Sequence, residues 1–220
     1  MPQNSASAAA RFLVFEGLDG SGKSTLMNAV DLELRRRGRI PVRSREPGGT
    51  PLAEDIRRLL LRTDGEPPVA ATELLLYSAS RAQHVANVIK PALLRGEWVM
   101  CDRFSASTVS FQSFARKLSR PEIEWLNRFA EQGTAPDLYV LLDLTVEESE
   151  RRQGKRQGTG QAADRMERES RDFHEAVRAG YLAQAKENPQ HWLVLDASKS
   201  PDEMKTRVIA ELEGRGWLAS

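Results

Sequence analysis

An eight-residue segment directly after a short apolar run limits what this chain can fold into more than any other feature. Residues 17–24 read Gly-Leu-Asp-Gly-Ser-Gly-Lys-Ser, which matches the phosphate-binding P-loop pattern in full. In such a loop the glycines let successive backbone amides turn toward phosphate oxygens, and the helix that follows adds partial positive charge at its start. The segment therefore predicts a strand, a tight turn and a helix, in that order.

The last two residues of this loop have chemical roles of their own. The pattern assigns Lys23 to the β and γ phosphates of a nucleoside triphosphate and the hydroxyl of Ser24 to Mg²⁺. The alternative is a glycine-rich turn without a ligand, and the full match between a strand and a helix disfavours it. The sequence thus predicts a triphosphate site that uses Mg²⁺ as its cofactor.

Short apolar runs alternate with longer amphipathic stretches along the rest of the chain. This alternation favours an α/β fold in which a parallel sheet is crossed by helices. Thr145 with Glu148, and Ser200 with Glu203, are typical of helix starts. Ligands of such sheets gather at the carboxyl ends of the strands, so chemistry is expected there. The predicted strands are Phe12–Glu16, Ile40–Ser44, Trp98–Cys101, Leu138–Leu142 and Trp192–Leu195.

The composition excludes several classes of protein. In 220 residues, 32 Lys and Arg stand against 31 Asp and Glu, so no global field draws the chain to nucleic acid or to an anionic membrane, and neither is expected as a partner. No apolar stretch approaches the roughly 20 residues that span a bilayer. Cys101 is the only cysteine, which excludes a disulfide framework and fits the reducing cytoplasm. We expect a disordered leader over residues 1–10 and one domain over residues 11–220.

A triphosphate site does not by itself say what happens to the γ phosphate. The guanine-reading string Asn-Lys-x-Asp of a GTPase switch is absent, and a large ATP-driven machine would need further domains. The chain instead carries many cations at predicted strand ends and helix starts, as transfer of a phosphoryl group between two nucleotides requires. For any one of them the alternative is a solvated surface residue. These cations are Arg45, Arg57, Arg81, Arg103, Arg151, Arg152, Lys155, Arg156 and Arg165.

Five motifs together resemble those of one family, the bacterial thymidylate kinases, in that family's order and spacing. They are residues 15–25, Arg45-Glu46-Pro47-Gly48-Gly49-Thr50, Arg81-Ala82-Gln83-His84, Asp102-Arg103-Phe104 and Asp164-Arg165. The resemblance implies a P-loop kinase fold: a three-layer α/β/α domain with a five-stranded parallel sheet and a small lid at about residues 150–165. It also implies a cytoplasmic homodimer that transfers a phosphoryl group from ATP·Mg to dTMP.

The resemblance assigns residues to both nucleotides and to the metal. The acidic loop residue Asp19 corresponds to a contact with the acceptor's 3′-hydroxyl; its alternative is a turn-forming Asp. Arg103 corresponds to the clamp on the acceptor phosphate, with Arg57 as a weaker candidate. Asp102 would serve Mg²⁺ through water, or orient Arg103. The residues implied for ATP are Gly17, Leu18, Asp19, Gly20, Ser21, Gly22, Lys23, Ser24, Thr25 and Arg165.

The base pocket follows from the same resemblance. Tyr77 and Arg81 are four residues apart on a predicted helix and share a face, so the ring can stack on a pyrimidine while the guanidinium donates to a carbonyl. An amphipathic core Tyr is the alternative for Tyr77. Thr108 would bond the base edge, with Gln112 as a looser candidate. Phe111 would leave a 2′-hydroxyl unpaired, which disfavours ribonucleotides.

The segment Gly154–Ala163 is rich in glycine and reads as a mobile loop. Relatives place a catalytic Arg either in the P-loop or in the lid, and Gly20 and Ser21 stand where the P-loop Arg would be. Arg152 and Arg156 are therefore the predicted catalytic residues of the lid, beside Lys23 and Arg103. The choice among the lid cations stays open, and so does a solvated charge run. Two rival functions also stay open: a kinase for another acceptor, and an ATP-binding module without transfer.

Overall fold

In a computed structural model the chain is described over residues 9–157 and 163–218, with the side chains of Arg156 and Gln157 left out. Five parallel strands form a single sheet in the order β2-β3-β1-β4-β5. They are β1 (Phe12–Glu16), β2 (Val42–Arg45), β3 (Val99–Asp102), β4 (Leu138–Asp143) and β5 (Trp192–Asp196). The predicted α/β class and five-stranded parallel sheet are confirmed.

Nine α-helices connect or flank these strands in the described part of the chain. They are α1 (Lys23–Arg36), α2 (Pro51–Leu61), α3 (Ala70–His84), α4 (Lys90–Leu94), α5 (Ser105–Thr108), α6 (Arg120–Glu131), α7 (Val146–Gln157), α8 (Arg171–Glu187) and α9 (Pro201–Gly214). Two π-helical segments, Val85–Ile89 and Val109–Ala115, extend α3 and α5, and a short 3₁₀ turn covers Pro189–His191.

Both faces of the sheet are covered, and β1 shows this most clearly. Its side chains alternate between the faces, as the two-residue period of a strand requires. Leu13 and Phe15 join one cluster with residues of α1 and α9, whereas Phe12 and Val14 join another that contains Val85. All of them are fully buried. The central strand is therefore rigidly held, and so is the start of the turn that follows it.

The predicted strand boundaries are correct to within two residues. The largest difference is at β2, which begins at Val42 rather than at Ile40. Pro41 has no amide hydrogen to donate to a ladder, and Ile40 is 69% exposed. The first amide of β2, that of Val42, donates at 2.7 Å to the carbonyl of Trp98, the residue directly before β3.

The predicted helix starts are confirmed, but the predicted loop is partly wrong. Thr145 Oγ1 accepts from the amide of Glu148 at 3.3 Å, and Ser200 forms a full capping box with Glu203. The segment Gly154–Ala163 was predicted to be a loop, but its first four residues are helical, because α7 continues to Gln157. Helical i,i+3 and i,i+4 pairs from Glu148 support this helix. Residues 158–162 lie outside the described part of the chain, as do residues 1–8 of the predicted leader.

Candidate active site

The turn after β1 has the backbone geometry of a phosphate cradle. Gly17 has φ +138°, Gly20 +79° and Gly22 +97°, all in the region that favours glycine. A Cβ on Gly17 would come within 2.5 Å of the carbonyl oxygen of Leu142 on the neighbouring strand. Any larger residue there would push the loop away from the sheet, so the position of the first glycine is fixed by both strain and contact.

Lys23 is the first residue of α1 and is almost completely buried. Its Nζ donates to the carbonyl oxygens of Gly17 and Leu18, each at 3.0 Å. Burial lowers the pKa of Lys23, and the nearby Arg103 guanidinium lowers it further. Asp19 Oδ1 lies 3.9 Å from the ammonium nitrogen, so the cation is held at the loop by carbonyl oxygens and one distant carboxylate, where it can also meet an anionic ligand.

Of the predicted lid cations, Arg152 is in contact with the loop. Its Nη1 donates to the carbonyl of Gly20 at 3.3 Å and its Nη2 to the carbonyl of Ala197 at 3.0 Å. Both Arg151 and Arg152 donate to Glu148. Within the described part of the chain Arg151 has no bond to the loop, and it is more than half exposed. The side chain of Arg156, the other predicted catalytic lid residue, lies outside the described part of the structure. Arg152 is thus the described lid arginine that the fold brings to the P-loop.

A cavity of about 480 Å³ opens above the loop. Two buried oxygens near the cavity have no hydrogen-bond partner in the described part of the chain. They are Asp102 Oδ1, in the cavity wall, and Ser21 Oγ, in the loop. Asp102 and Ser24 line the cavity together, and carboxylate and hydroxyl oxygens suit Mg²⁺. In the described residues no three His, Cys, Asp or Glu side chains form a metal-binding group, so an ion here would need phosphate oxygens as well. The predicted metal ligands fit that arrangement. The wall consists of Asp19, Gly20, Gly22, Lys23, Ser24, Thr25, Arg45, Glu46, Arg57, Asp102, Arg103 and Arg152.

A second cavity, of about 80 Å³, adjoins the first and has a partly apolar interior. Arg103 lies between the two. Its Nη2 donates to Asp19 Oδ1 at 3.0 Å and its Nη1 to the hydroxyl of Tyr181 at 2.9 Å. Arg103 has φ +68°, a left-handed conformation that is uncommon for a side-chain-bearing residue. The structure brings together in this one cavity every residue predicted for the acceptor: Asp19, Arg57, Tyr77, Arg81, Arg103, Thr108, Phe111 and Gln112.

Glu16 and Arg103 share two hydrogen-bond partners, the hydroxyls of Ser107 and Tyr181. Sequence reasoning missed Glu16. This fully buried carboxylate accepts from the amides of Phe104 and Ser107 and from the hydroxyls of Ser107 and Tyr181. Burial raises the pKa of Glu16 even though Arg103 and these hydrogen bonds oppose the shift. The available signal was a carboxylate at the end of an otherwise apolar buried strand, where an unpaired charge would be costly.

The side chains predicted to contact the base differ in how many hydrogen bonds they already make within the protein. Arg81 is 2% exposed; its Nε donates to Glu46 at 2.9 Å and its Nη1 to Asn127 at 2.8 Å. Thr108 Oγ1 is buried and has no hydrogen-bond partner among the residues that the structure describes. An orphaned hydroxyl in a cavity wall is costly unless a ligand pairs with it, so Thr108 is the clearest sign of a polar ligand edge here.

Two further predicted residues are held by their surroundings. Arg57 donates from Nη1 to the carbonyl of Pro47 at 2.9 Å and lines both cavities; burial and the neighbouring Arg45 lower its pKa. Phe111 lies edge-on to Phe173, with ring centroids 5.9 Å apart. Arg57 is therefore available to a phosphate between the cavities, and Phe111 is a fixed apolar wall.

Arg165 is not brought to the P-loop, although the resemblance implied a role at ATP. It donates to the carbonyl of Leu60 at 2.8 Å and to Glu73 Oε2 at 2.6 Å. Glu73 is fully buried behind the second cavity and was missed by sequence reasoning, because its partners lie 39 to 92 residues away. Burial alone would raise the pKa of Glu73, but hydrogen bonds from Arg116 and Gln112 lower it below its ordinary value.

A phosphate loop joined through Arg103 to a second, partly apolar cavity defines a P-loop kinase that takes two nucleotides. Comparison with known proteins makes the class specific. The family model for thymidylate kinase matches residues 15–208, and the chain belongs to the thymidylate kinase family, which phosphorylates dTMP to dTDP. It is thus an ATP-dependent nucleoside-monophosphate kinase.

Individual relatives agree with this membership. A thymidylate kinase of Bdellovibrio bacteriovorus is 52% identical over 209 residues, which are 94% of this chain and 98% of that protein. One from Chromohalobacter salexigens is 46% identical over 93% of this chain and 96% of its own length. The crystal structure of thymidylate kinase from Ehrlichia chaffeensis superposes on this chain with a TM-score of 0.72 at 29% sequence identity. The superposition covers 93% of this chain and 99% of the Ehrlichia chain.

Proposed function

We propose that this chain transfers the γ-phosphoryl group of ATP to dTMP by direct in-line displacement between its two adjoining cavities. The observation that carries the proposal is that Asp19, Arg57 and Arg103 line both cavities. The phosphate of an acceptor in one cavity would then lie next to the end of a triphosphate in the other. An oxygen of the acceptor phosphate attacks the γ phosphorus, and the bond to the β-phosphate oxygen breaks to release ADP.

On the donor side, the loop amides and Lys23 hold the β and γ phosphates. Lys23 lies at the loop, bonded to two of its carbonyl oxygens and 3.9 Å from Asp19 Oδ1, so its ammonium group is placed to meet the triphosphate. Ser24 and Asp102 would hold Mg²⁺, directly or through water. When bound, Mg²⁺ supplies charge neutralisation between the donor phosphates.

On the acceptor side, Arg103 and Arg57 clamp the monophosphate and Asp19 accepts from the 3′-hydroxyl. Two guanidinium groups match the charge of a dianion and fix its direction. Tyr77 stacks on thymine, Arg81 donates to a ring carbonyl, and Thr108 and Gln112 bond the base edge. Phe111 excludes a 2′-hydroxyl. The unpaired Thr108 hydroxyl supports this arrangement most directly.

The lid around residues 150–165 would supply the remaining charge. Arg152 reaches the P-loop from α7, so it can stabilise the phosphoryl group in transit. Arg156 is proposed to act with it. No covalent enzyme intermediate is needed, because positioning and electrostatics suffice for this reaction.

A pair of variants separates a kinase from an ATP-binding module that has lost transfer. Lys23→Ala and Arg103→Ala are compared by dTMP-dependent ADP release and by ATP binding. For a kinase, both lose turnover by at least about 100-fold, while Arg103→Ala keeps ATP binding. A wild type that binds ATP but shows no turnover with dTMP would contradict the proposal, as would an Arg103→Ala variant of unchanged turnover.

The assembly and location are part of the proposal. Trp125 and Phe129 on α6 are 60% and 68% exposed and stack with ring centroids 5.8 Å apart, which supports a homodimer built on this face. A Trp125→Glu variant should then sediment as a monomer. In the described residues no helix is long and apolar enough to cross a membrane. We place the enzyme in the cytoplasm because its single cysteine is buried and unpaired.

A further inference from the structure

Behind the base-reading wall of the second cavity lies a carboxylate that no role described so far accounts for. Glu73 is on α3, one turn before Tyr77, and its side chain is fully buried. Glu73 does not line the cavity, so it is not a candidate for direct contact with a nucleotide. A buried carboxylate needs partners for both oxygens, and those partners show what it does.

Glu73 accepts four hydrogen bonds from three side chains. Oε1 accepts from Gln112 Nε2 at 2.9 Å and from Arg116 Nε at 3.1 Å. Oε2 accepts from Arg116 Nη2 at 3.1 Å and from Arg165 Nη2 at 2.6 Å. Two arginines keep this carboxylate ionised, and an ionised carboxylate can only accept. Gln112 must therefore give Glu73 its NH₂ group.

This requirement decides which end of the Gln112 amide a ligand meets. An amide has a donating end and an accepting end, and its orientation follows its hydrogen-bond network. Gln112 is 1% exposed and lines the cavity beside the unpaired Thr108 hydroxyl. With Nε2 committed to Glu73, the oxygen is the end that Gln112 offers to the edge of a bound base.

We propose that Glu73 is a positioning residue that sets the pyrimidine specificity of this site by fixing the amide orientation of Gln112. An oxygen at this place accepts from the N3–H of thymine or uracil. The N3 of cytosine is itself an acceptor, so the same oxygen would leave two acceptors facing each other. Buried polar groups left unpaired in this way reject a substrate strongly. The inference rests on the proposed function, since it needs a pyrimidine monophosphate in the second cavity.

The test compares two acceptors that differ only in the base. The kcat/KM for dTMP is divided by that for dCMP, with ATP as donor, in the wild type and in Glu73→Gln. The uncharged amide can both accept and donate, so Gln112 is free to turn, and we expect the dTMP preference to fall by about tenfold. A general loss of structure would lower both values and leave their ratio in place.

Glu169→Gln is a matched control, because Glu169 also pairs with Arg116 but has no hydrogen bond to Gln112. It should keep the wild-type ratio. A second variant, Gln112→Met, removes both ends of the amide and should lower the ratio as Glu73→Gln does, so the inference stays testable if the latter does not fold. In the Gln112→Met background, Glu73→Gln should change the ratio no further.

Three results would overturn the inference: an unchanged ratio in Glu73→Gln, an unchanged ratio in Gln112→Met, or an equal fall in Glu169→Gln. Failure of the proposed function is a separate outcome. It would appear in the wild type itself, as the absence of turnover with dTMP, before any variant is measured.

Discussion

Arg103 Nη2 and Asp19 Oδ1 are 3.0 Å apart, although the two residues are 84 positions apart in the sequence. Asp19 belongs to the P-loop, and Arg103 directly follows the neighbouring strand β3. The parallel pairing of β1 with β3 brings the two strand ends side by side, so this ion pair joins the donor cavity to the acceptor cavity.

Replacing Asp19 by Ala should weaken acceptor binding far more than donor binding. The variant leaves Arg103 without its carboxylate partner and removes the proposed acceptor of the 3′-hydroxyl bond. A hydrogen bond between charged groups is worth roughly 1.5–3 kcal/mol, so we expect KM for dTMP to rise about 10- to 100-fold. Steady-state kinetics with each substrate varied in turn check this.

The control is Asp31→Ala, which breaks a carboxylate–arginine pair of similar length, 2.8 Å to Arg35, on α1 away from the cavities. It should leave both KM values near those of the wild type. A rise in KM for ATP that matches the rise for dTMP would argue against an acceptor role of Asp19.

Arg152→Ala should lower kcat much more than it lowers ATP affinity. Arg152 reaches the P-loop carbonyl of Gly20, and an arginine that stabilises the transferring phosphoryl group acts mainly in the transition state. We expect kcat to fall by at least about 100-fold, and further when Arg156 is also replaced. Arg151→Ala is the control, because Arg151 bonds to Glu148 as Arg152 does, but lies outside the cavity wall. Equal effects of the two variants would exclude a specific role for Arg152.

Phe111→Ala should loosen discrimination against ribonucleotide acceptors. The ring is 8% exposed and lines the acceptor cavity, so its removal opens space in which water can pair with a 2′-hydroxyl. The kcat/KM ratio of dTMP to the corresponding ribonucleotide should fall several-fold. The void left by the removed ring also lowers the free energy of unfolding by about 3 kcal/mol. This loss affects both acceptors equally, so the ratio of the two kcat/KM values reports on discrimination alone. An unchanged ratio would remove Phe111 from the sugar site.

Acidification should destabilise the fold through His174. Burial lowers the pKa of His174 below its ordinary value of 6.5. The unfolded chain therefore binds a proton more readily than the folded one, so this stability is present above pH 6.5 and is lost as the pH falls below it. Urea unfolding at pH 7.5 and 5.5 should show a smaller loss in His174→Gln than in the wild type. The exposed His191 provides the control, and His191→Gln should show the wild-type loss. An equal loss in His174→Gln would contradict this origin.

Features that depend on neighbouring residues were predictable from the sequence. The P-loop, the strand after which it comes and the caps at Thr145 and Ser200 all rest on short patterns whose physics is local. The buried stripe of α9, with Met204, Val208, Ile209 and Leu212, follows from helical periodicity in the same way.

Features that depend on partners far along the chain were not predictable in this way. Tyr181 donates to Glu16 across 165 positions, and Arg165 to Glu73 across 92. A motif identifies Arg165 as a functional candidate, but only the folded chain shows that its guanidinium pairs with Glu73. Gly154 misled the loop prediction because one glycine inside a helix costs only about 1 kcal/mol, and α7 continues through it to Gln157.

Phosphoryl transfer from ATP to competing acceptors tests the central claim most directly. With dTMP, dUMP, dGMP and thymidine offered separately at matched concentrations, the account predicts the highest kcat/KM for dTMP. It also predicts little turnover of thymidine, which lacks the phosphate that Arg103 would hold. A higher kcat/KM for any of the other three would contradict it.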